Sequence, residues 1–321
     1  MSRYIVGFDI GGTKCAVTLA LESERSDEKP EIIAKIGFST VKGDPYGTLE
    51  RLLETLDSIL LERGLSYGDA SGIGISCGGP LDAKRGVIMS PPNLPGWDNV
   101  PVYQFFEKRT GIKCYLQNDA NACAVAEWKY GAGRGCDSMA FLTFGTGLGA
   151  GLILDGRLYA GCRDMAGEIG HVRLAPDGPV GYGKRGSCEG FCSGGGIRQM
   201  GIEALKRSVE NGQKNALYTA CGGEPERIDA KMISELAKAG DLFCAEIFRR
   251  SAAMLGRTVA ILCDVLDIEL TVIGGIYMRS AELIEPELTR VLQEEALCPC
   301  RVVAAGLGER VGDYAALALV P

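Results

Sequence analysis

The fold is decided by "YIVGFDIGGTKCAVTLAL" (residues 4–21) and by its return as "SMAFLTFGTGLGAGLILDGRLYAG" (residues 138–161). In each, an apolar strand enters a glycine turn and comes straight back as a second apolar strand. Gly11-Gly12-Thr13-Lys14 and Gly145-Thr146-Gly147 therefore read as hairpin loops. Asp9 near the end of the first strand becomes Phe144 in the second copy. A period of about 135 residues is domain-sized, so the chain reads as a structural duplication rather than a solenoid. A third apolar strand, "LTVIGG" (270–275), also ends in glycines, Gly274 and Gly275. One such turn signals only a need for positive φ. Three at strand ends offer backbone N–H groups that can cradle phosphate oxygens, and Thr13 and Thr146 add hydroxyl donors. Neither a Walker A sequence nor a GxGxxG opening a helix is present. Nucleotide phosphates held between two hairpins is the reading these turns favour.

Outward from the hairpins the pattern alternates. Residues 22–30 are polar and predict a turn, and "EIIAKIGFST" follows it. Leu49, Leu52, Leu53, Leu56, Ile59 and Leu60 recur at three- and four-residue spacing and predict a helix over about 46–63. "SGIGISCGGP" is a strand ending in glycines, and "KCYLQNDANACAVAEWKYG" is a strand entering a helix. Residues 196–265 read as mainly helical, with a further helix near 279–295. Strands alternating with helices predict an α/β protein in two similar halves. The expected division is a small N-terminal domain over 1–117, completed by 308–321, and a larger domain over 118–307.

Bulk properties narrow the function. The 321 residues carry a formal charge of −7 with 46% hydrophobic content. That balance disfavours nucleic acid as a partner, because a phosphate backbone demands a basic face. No apolar run reaches the roughly 20 residues that cross a bilayer, and the first residues lack a secretory signal. Thirteen cysteines, an odd number scattered singly, predict reduced and mostly buried thiols in a cytoplasmic protein.

The motifs resemble the sugar-kinase and actin-like ATPase fold, and more narrowly the ROK family of sugar kinases and sugar-responsive repressors. The stretches that carry the resemblance are "DIGGTK" (9–14), "GISCGGPLD" (74–82), "NLPGW" (93–97), "NDANACAVAEWKYGAG" (118–133), the second hairpin, "GEIGH" (167–171) and "GSCEGFCSGGGI" (186–197). They run in order along essentially the whole chain. The resemblance implies two domains that close on a sugar and ATP, and a homodimer. The first phosphate hairpin begins at residue 9, which leaves no room for the helix-turn-helix of the repressor members, so the chain is expected to be an enzyme.

Phosphoryl transfer to a sugar hydroxyl needs a carboxylate to take the hydroxyl proton and dipolar groups around the phosphate. Asp119, where strand gives way to helix, reads from the residues alone equally as base or as helix N-cap. The resemblance implies the base, with Asn118 and Asn93 as sugar ligands and Asp9 holding the Mg²⁺ of Mg-ATP through water. It places Gly11, Gly12, Thr13, Gly145, Thr146, Gly147, Gly274 and Gly275 around the nucleotide. Lys14 is either a phosphate contact or a solvated turn residue. Glu168, His171 and Glu189 match the sugar-contacting residues of the family, and carboxylates and imidazole suit paired hydroxyls.

His171 is the sole histidine. In many family members it also joins three cysteines of a C-x-C-x4-C segment around a structural zinc. Here that segment is "VGYGKRGSCEG". If Cys188 is the last cysteine, its partner positions hold Gly181 and Gly183; if Glu189 is aligned, the positions hold Val180, Tyr182 and Ser187. Cys192 and Cys162 lack the required spacing. Tetrahedral zinc needs four ligands, so no zinc is expected and His171 needs another partner to orient its ring. Ile276 stands where relatives commonly carry a third glycine near adenine. The leading expectation is an ATP-dependent hexose kinase acting on the 6-OH of glucose or a related aldohexose. The rivals are an N-acetylmannosamine or N-acetylglucosamine kinase and a sugar-binding regulator without catalysis.

Overall fold

The first hairpin forms as its residues dictate. Strands β1 (Tyr4–Ile10) and β2 (Lys14–Leu21) pair antiparallel from Tyr4 opposite Leu21 to Ile10 opposite Cys15. The structure is a computed structural model and describes residues 3–23, 25 and 28–321. Of the turn expected over 22–30, Glu24, Ser26 and Asp27 lie outside the described residues. Strand β3 (Glu31–Ser39) pairs with β2, and helix α1 (Pro45–Arg63) follows. The predicted apolar stripe is the buried face of α1, from Leu49 to Leu60. Asp44 caps the helix by accepting from the Gly47 N–H at 2.8 Å, Pro45 occupies its first position, and Gly64 ends it at φ 63°.

Strand β4 (Ala70–Cys77) lies parallel to β1. The short strands β5 (Leu81–Asp82), β6 (Val87–Ile88) and β7 (Val100–Pro101) make a small separate sheet. Helix α2 (Val102–Thr110), strand β8 (Cys114–Asn118) and helix α3 (Asp119–Tyr130) complete this part. The first sheet has the order β3-β2-β1-β4-β8. Its parallel strands are in step: Ile10 pairs with Cys77, and Cys77 with Asn118. Asp9 and Asp119 are thereby delivered at the same end of one sheet.

The duplicate hairpin is β9 (Met139–Phe144) and β10 (Leu148–Leu154), with β11 (Arg157–Leu158) folding back on the end of β10. A two-residue-per-side hairpin, β12 (Val180–Gly181) and β13 (Lys184–Arg185), precedes helices α4 (Cys188–Phe191), α5 (Gly194–Glu210), α6 (Ala216–Ala220), α7 (Ala230–Lys238) and α8 (Leu242–Leu266). Strand β14 (Leu270–Ile273), helix α9 (Ile276–Glu295), strand β15 (Arg301–Ala304) and helix α10 (Val311–Ala318) end the chain. In the second sheet β14 lies between β9 and β15, parallel to both.

The chain divides into two compact units, one of Met1–Gly135, Gly151–Ala166 and Gly306–Pro321, the other of Cys136–Ala150 and Gly167–Ala305. In the first unit α10 lies on the face of β1 and β4 opposite α1. Gly74 makes this approach possible, since a Cβ there would run into the Ala316 carbonyl. Covered on both faces, β1 is buried except at Asp9. Of the thirteen cysteines, only Cys162 and Cys298 are exposed, and none forms a disulfide among the described residues. No helix among them is long and apolar enough to cross a membrane.

Candidate active site

In the first unit three loops converge on the end of the sheet. The Gly11–Lys14 turn is closed by the Gly11 N–H donating to the Lys14 carbonyl at 3.0 Å. Thr40, which the sequence reading missed, staples it: its hydroxyl donates to the Gly11 carbonyl at 2.6 Å and lies 3.3 Å from the Cys15 thiol. Asn93 lies over Gly12, whose missing Cβ leaves room for the Asn93 backbone. The Asn93 side chain borders Gly78 at the end of β4. Trp97 is buried in the core and packs rather than stacks on a ligand. Thr13 and Lys14 are exposed.

Asn118 is the N-cap of α3, its Oδ1 accepting from the Asn121 N–H at 2.7 Å. That capping role was weighed for Asp119; the structure gives it to the preceding residue. Asp119 is the first residue of the helix and accepts from the Ala120 N–H at 2.8 Å. Both Asp9 and Asp119 reach solvent, but protein walls them on the other sides. Lost hydration lifts the Asp119 pKa above the ordinary carboxylate range. It lifts Asp9 to about 6, with the charges of Asp119 and Asp313 adding to the rise and Lys35 opposing it.

In the second unit the Gly145-Thr146-Gly147 turn faces the N-terminus of α5. The Gly194 N–H donates to the Gly145 carbonyl at 2.8 Å, and Ser193 caps α5 by accepting from Gly196 N–H at 2.9 Å. A cavity of about 860 Å³ opens here, lined by Gly145, Thr146, Gly194, Gly195, Arg198 and Ile276 among others. The 17-residue α5 starts at this cavity, so the positive end of its dipole favours an anion there, and Gly194 and Gly195 let a ligand approach the backbone. Arg198 is held by the Ile228 and Glu226 carbonyls at 2.9 and 3.0 Å. Buried Ser234 and Ser280 share a 2.8 Å hydrogen bond on the same wall. Gly275 starts α9 at φ 69°, and a Cβ there would meet the Phe144 carbonyl. Gly194, Gly195 and Arg198 were missed as site residues, yet "SGGGIR" carries the signal: a cap residue, glycines, then a cation one turn on.

The "GEIGH" turn is strapped to the start of β10. The Ala150 N–H donates to the Gly167 carbonyl at 3.2 Å, and the His171 N–H donates to the Glu168 carbonyl at 3.1 Å. Glu189, on the first turn of α4, accepts from the Leu148 N–H at 3.1 Å, and a Cβ on Gly147 would stand 2.6 Å from its Oε2. Its carboxylate is therefore anchored at the second glycine turn. The His171 ring meets the Tyr182 ring edge-to-face, centroids 4.8 Å apart and planes at 76°.

The donor set does not fit zinc. Cys188 is fully buried with its sulfur 2.8 Å from the Thr258 hydroxyl, and Cys192 is buried beside it. Ser187 is occupied as the N-cap of α4. Among the described residues no group of three or more His, Cys, Asp and Glu side chains is placed to hold a metal ion.

Residues 5–321 match the ROK family over this whole arrangement. The chain belongs to the ROK family. A glucokinase of Thermotoga maritima is 32% identical over 322 residues, covering 98% of this chain and 96% of that protein. An N-acetylmannosamine kinase of Yersinia pestis is 32% identical over 271 residues, 84% of this chain and 81% of that one. The crystal structure of a ROK family glucokinase from Streptomyces griseus in complex with glucose and AMPPNP superposes with a TM-score of 0.76 at 29% identity, covering 99% of both chains. The fold of this family member is the two-domain actin-like ATPase fold that the family resemblance implies.

Proposed function

We propose that this ROK protein is an ATP-dependent hexose kinase that moves the γ-phosphoryl of ATP to the 6-OH of an aldohexose, with glucose as the leading acceptor. The observation that carries the reading is the delivery of Asp119 and Asp9 at one end of the first sheet, both solvent-accessible and both with raised pKa. Asp119 accepts the hydroxyl proton as the oxygen attacks phosphorus. A raised pKa serves this role, because the base must hold the proton once the loose transition state has passed. Asn118 spends its Oδ1 on the helix cap, so its Nδ2 is the group left to donate to a sugar hydroxyl. Asn93, Glu168, His171 and Glu189 complete the sugar contacts.

The cavity of the second unit takes the nucleotide. The Gly195 N–H, the N-terminal dipole of α5 and the Thr146 hydroxyl serve its phosphates, with Gly145, Gly147, Gly274 and Gly275 keeping the backbone open. Gly11, Gly12 and Thr13 offer the matching cradle, with Lys14 at its rim. Magnesium suits the carboxylate of Asp9, whose pKa burial raises and the charges of Asp119 and Asp313 raise further, so that a cation beside it would relieve both. Bound with ATP, the ion would neutralise charge on the phosphates; Asp9 would hold it through water. The same reading makes it a cytoplasmic enzyme and a homodimer, without nucleic-acid or membrane partners and without structural zinc.

The test is ADP release from Mg-ATP with glucose, mannose, allose, fructose, N-acetylglucosamine and N-acetylmannosamine as acceptors. Glucose turning over with the highest kcat/KM supports the reading; an N-acetylhexosamine in that place moves the acceptor class. Asp119→Asn should keep sugar binding and lose at least about a hundredfold in kcat. A mutant retaining a tenth of wild-type kcat removes Asp119 from the role of base.

A further inference from the structure

The loop that follows the sole histidine is built on a backbone its sequence should avoid. The β12–β13 hairpin closes through Tyr182 and Gly183 alone, at φ 44° and 76°. Two consecutive left-handed residues make a type I′ turn, for which Asn-Gly or Gly-Gly is the natural choice. A tyrosine there is strained, and it gains nothing from burial, since it is 65% exposed. Among the described residues its one ring contact is the edge-to-face packing on His171. The hairpin holds the same residue a second time, the Lys184 ammonium donating to the His171 carbonyl at 2.7 Å. The hairpin itself is fixed to α5, because Gln199 accepts from the Val180 N–H at 3.0 Å and donates to its carbonyl at 2.8 Å.

We propose that Tyr182 is a positioning residue that clamps the His171 imidazole for sugar binding, an aromatic contact doing here what a metal ion cannot do with this donor set. Aromatic rings favour this edge-to-face geometry, and a ring on one side of the imidazole restricts its rotation. Misplacing a ligand by about 1 Å can cost on the order of a hundredfold in turnover, so fixing this ring matters. The inference rests on the reading of His171 as a sugar contact.

Tyr182→Gly separates the clamp from a structural role. Glycine is the better residue for the turn, so the variant should melt no lower than wild type while losing the ring. Its KM for sugar should rise about tenfold, in the range seen when the orienting partner of a ligand histidine is lost, with KM for ATP within twofold. Tyr182→Phe should hold the sugar KM within twofold. Because the chain has one histidine, tag-free protein gives a single set of imidazole C–H signals. Those signals should shift in Tyr182→Gly and stay close to wild type in Tyr182→Phe.

Wild-type sugar KM or unmoved imidazole signals in Tyr182→Gly overturn the clamp. So does a stoichiometric zinc in the purified protein whose removal raises the sugar KM. If His171→Ala weakens sugar binding while Tyr182→Gly does not, the clamp fails and His171 stands. If neither variant changes it, both fall.

Discussion

Glu127 carries no part of the proposed chemistry, yet its removal should be among the most damaging single changes in the first unit. It is fully buried on α3, two turns from Asp119. Its Oε2 accepts from the Ala132 and Gly306 N–H groups at 2.8 and 2.9 Å, and its Oε1 from Leu307 N–H at 2.9 Å. The carboxylate thus ties the end of α3 to the segment on which the chain returns to deliver α10. Hydrogen bonds to a charged group contribute about 1.5–3 kcal/mol each, and three removed together leave three buried donors orphaned. Water entering the space left by Glu127→Ala would satisfy some, so about 4 kcal/mol is expected rather than the full sum. For a unit of this size that is a fall in Tm of about 8–16 °C. Glu127→Gln keeps one acceptor oxygen but turns an amide toward a donor, and should lose about half as much. The assay is calorimetric melting of the ligand-free enzyme, with kcat measured well below the transition to show that the surviving native fraction remains active. A fall below about 3 °C for Glu127→Ala would refute the argument that these three contacts hold the junction.

Three further outcomes follow from the site. Asp9 titrates at about 6, so kcat/KM for ATP should fall roughly tenfold per pH unit below that value, and Asp9→Asn should flatten that limb while lowering the plateau. The same raised pKa means that the folded state binds more protons than the unfolded one between about pH 4 and 6. Stability therefore falls as pH rises through that window, and ligand-free Asp9→Asn should melt above wild type at pH 7 and lose the advantage below pH 4. Gly275→Ala forces a side chain into φ 69° and against the Phe144 carbonyl, which should cost at least about 1–2 kcal/mol. The KM for ATP should rise more than the KM for sugar; the reverse order would separate Gly275 from the nucleotide cavity.

The parts legible in the sequence were those fixed by local pattern. The α1 stripe, the two hairpins and the strand-to-helix junction at Asn118-Asp119 follow from period and turn chemistry, and the structure places them there. The parts that were not legible depend on contacts across long stretches of chain. Thr40 bonds to Gly11 across 29 positions, and Glu127 reaches Leu307 across 180. Nothing in the neighbourhood of either residue signals its partner. The choice between Asn118 and Asp119 as cap was invisible for the opposite reason: both side chains cap helices well, and only the backbone at 118, extended at φ −69° and ψ 159°, decides it. Tyr182 was read as a missing cysteine, and its ring contact required knowing that the hairpin folds back on His171.

The duplication explains how one strand–turn–strand unit came to serve two purposes. In the first copy the strand delivers Asp9, a carboxylate exposed at the end of an otherwise buried strand. In the second, Thr143 takes the place of Asp9; Phe144, the last residue of its strand as Ile10 is of the first, is fully buried, and its carbonyl is the surface against which Gly275 packs. An acidic residue in place of Thr143 would put negative charge beside the turn that faces the N-terminus of α5, competing for the field that favours phosphate. Thr143 carries no charge: its hydroxyl accepts from the Gly149 N–H at 2.8 Å, and Phe144 beside it is buried in the core. The two strands thus present different groups beside their turns, an exposed carboxylate at Asp9 in one half and an uncharged hydroxyl at Thr143 in the other, so the repeated backbone keeps its shape while the local charge changes.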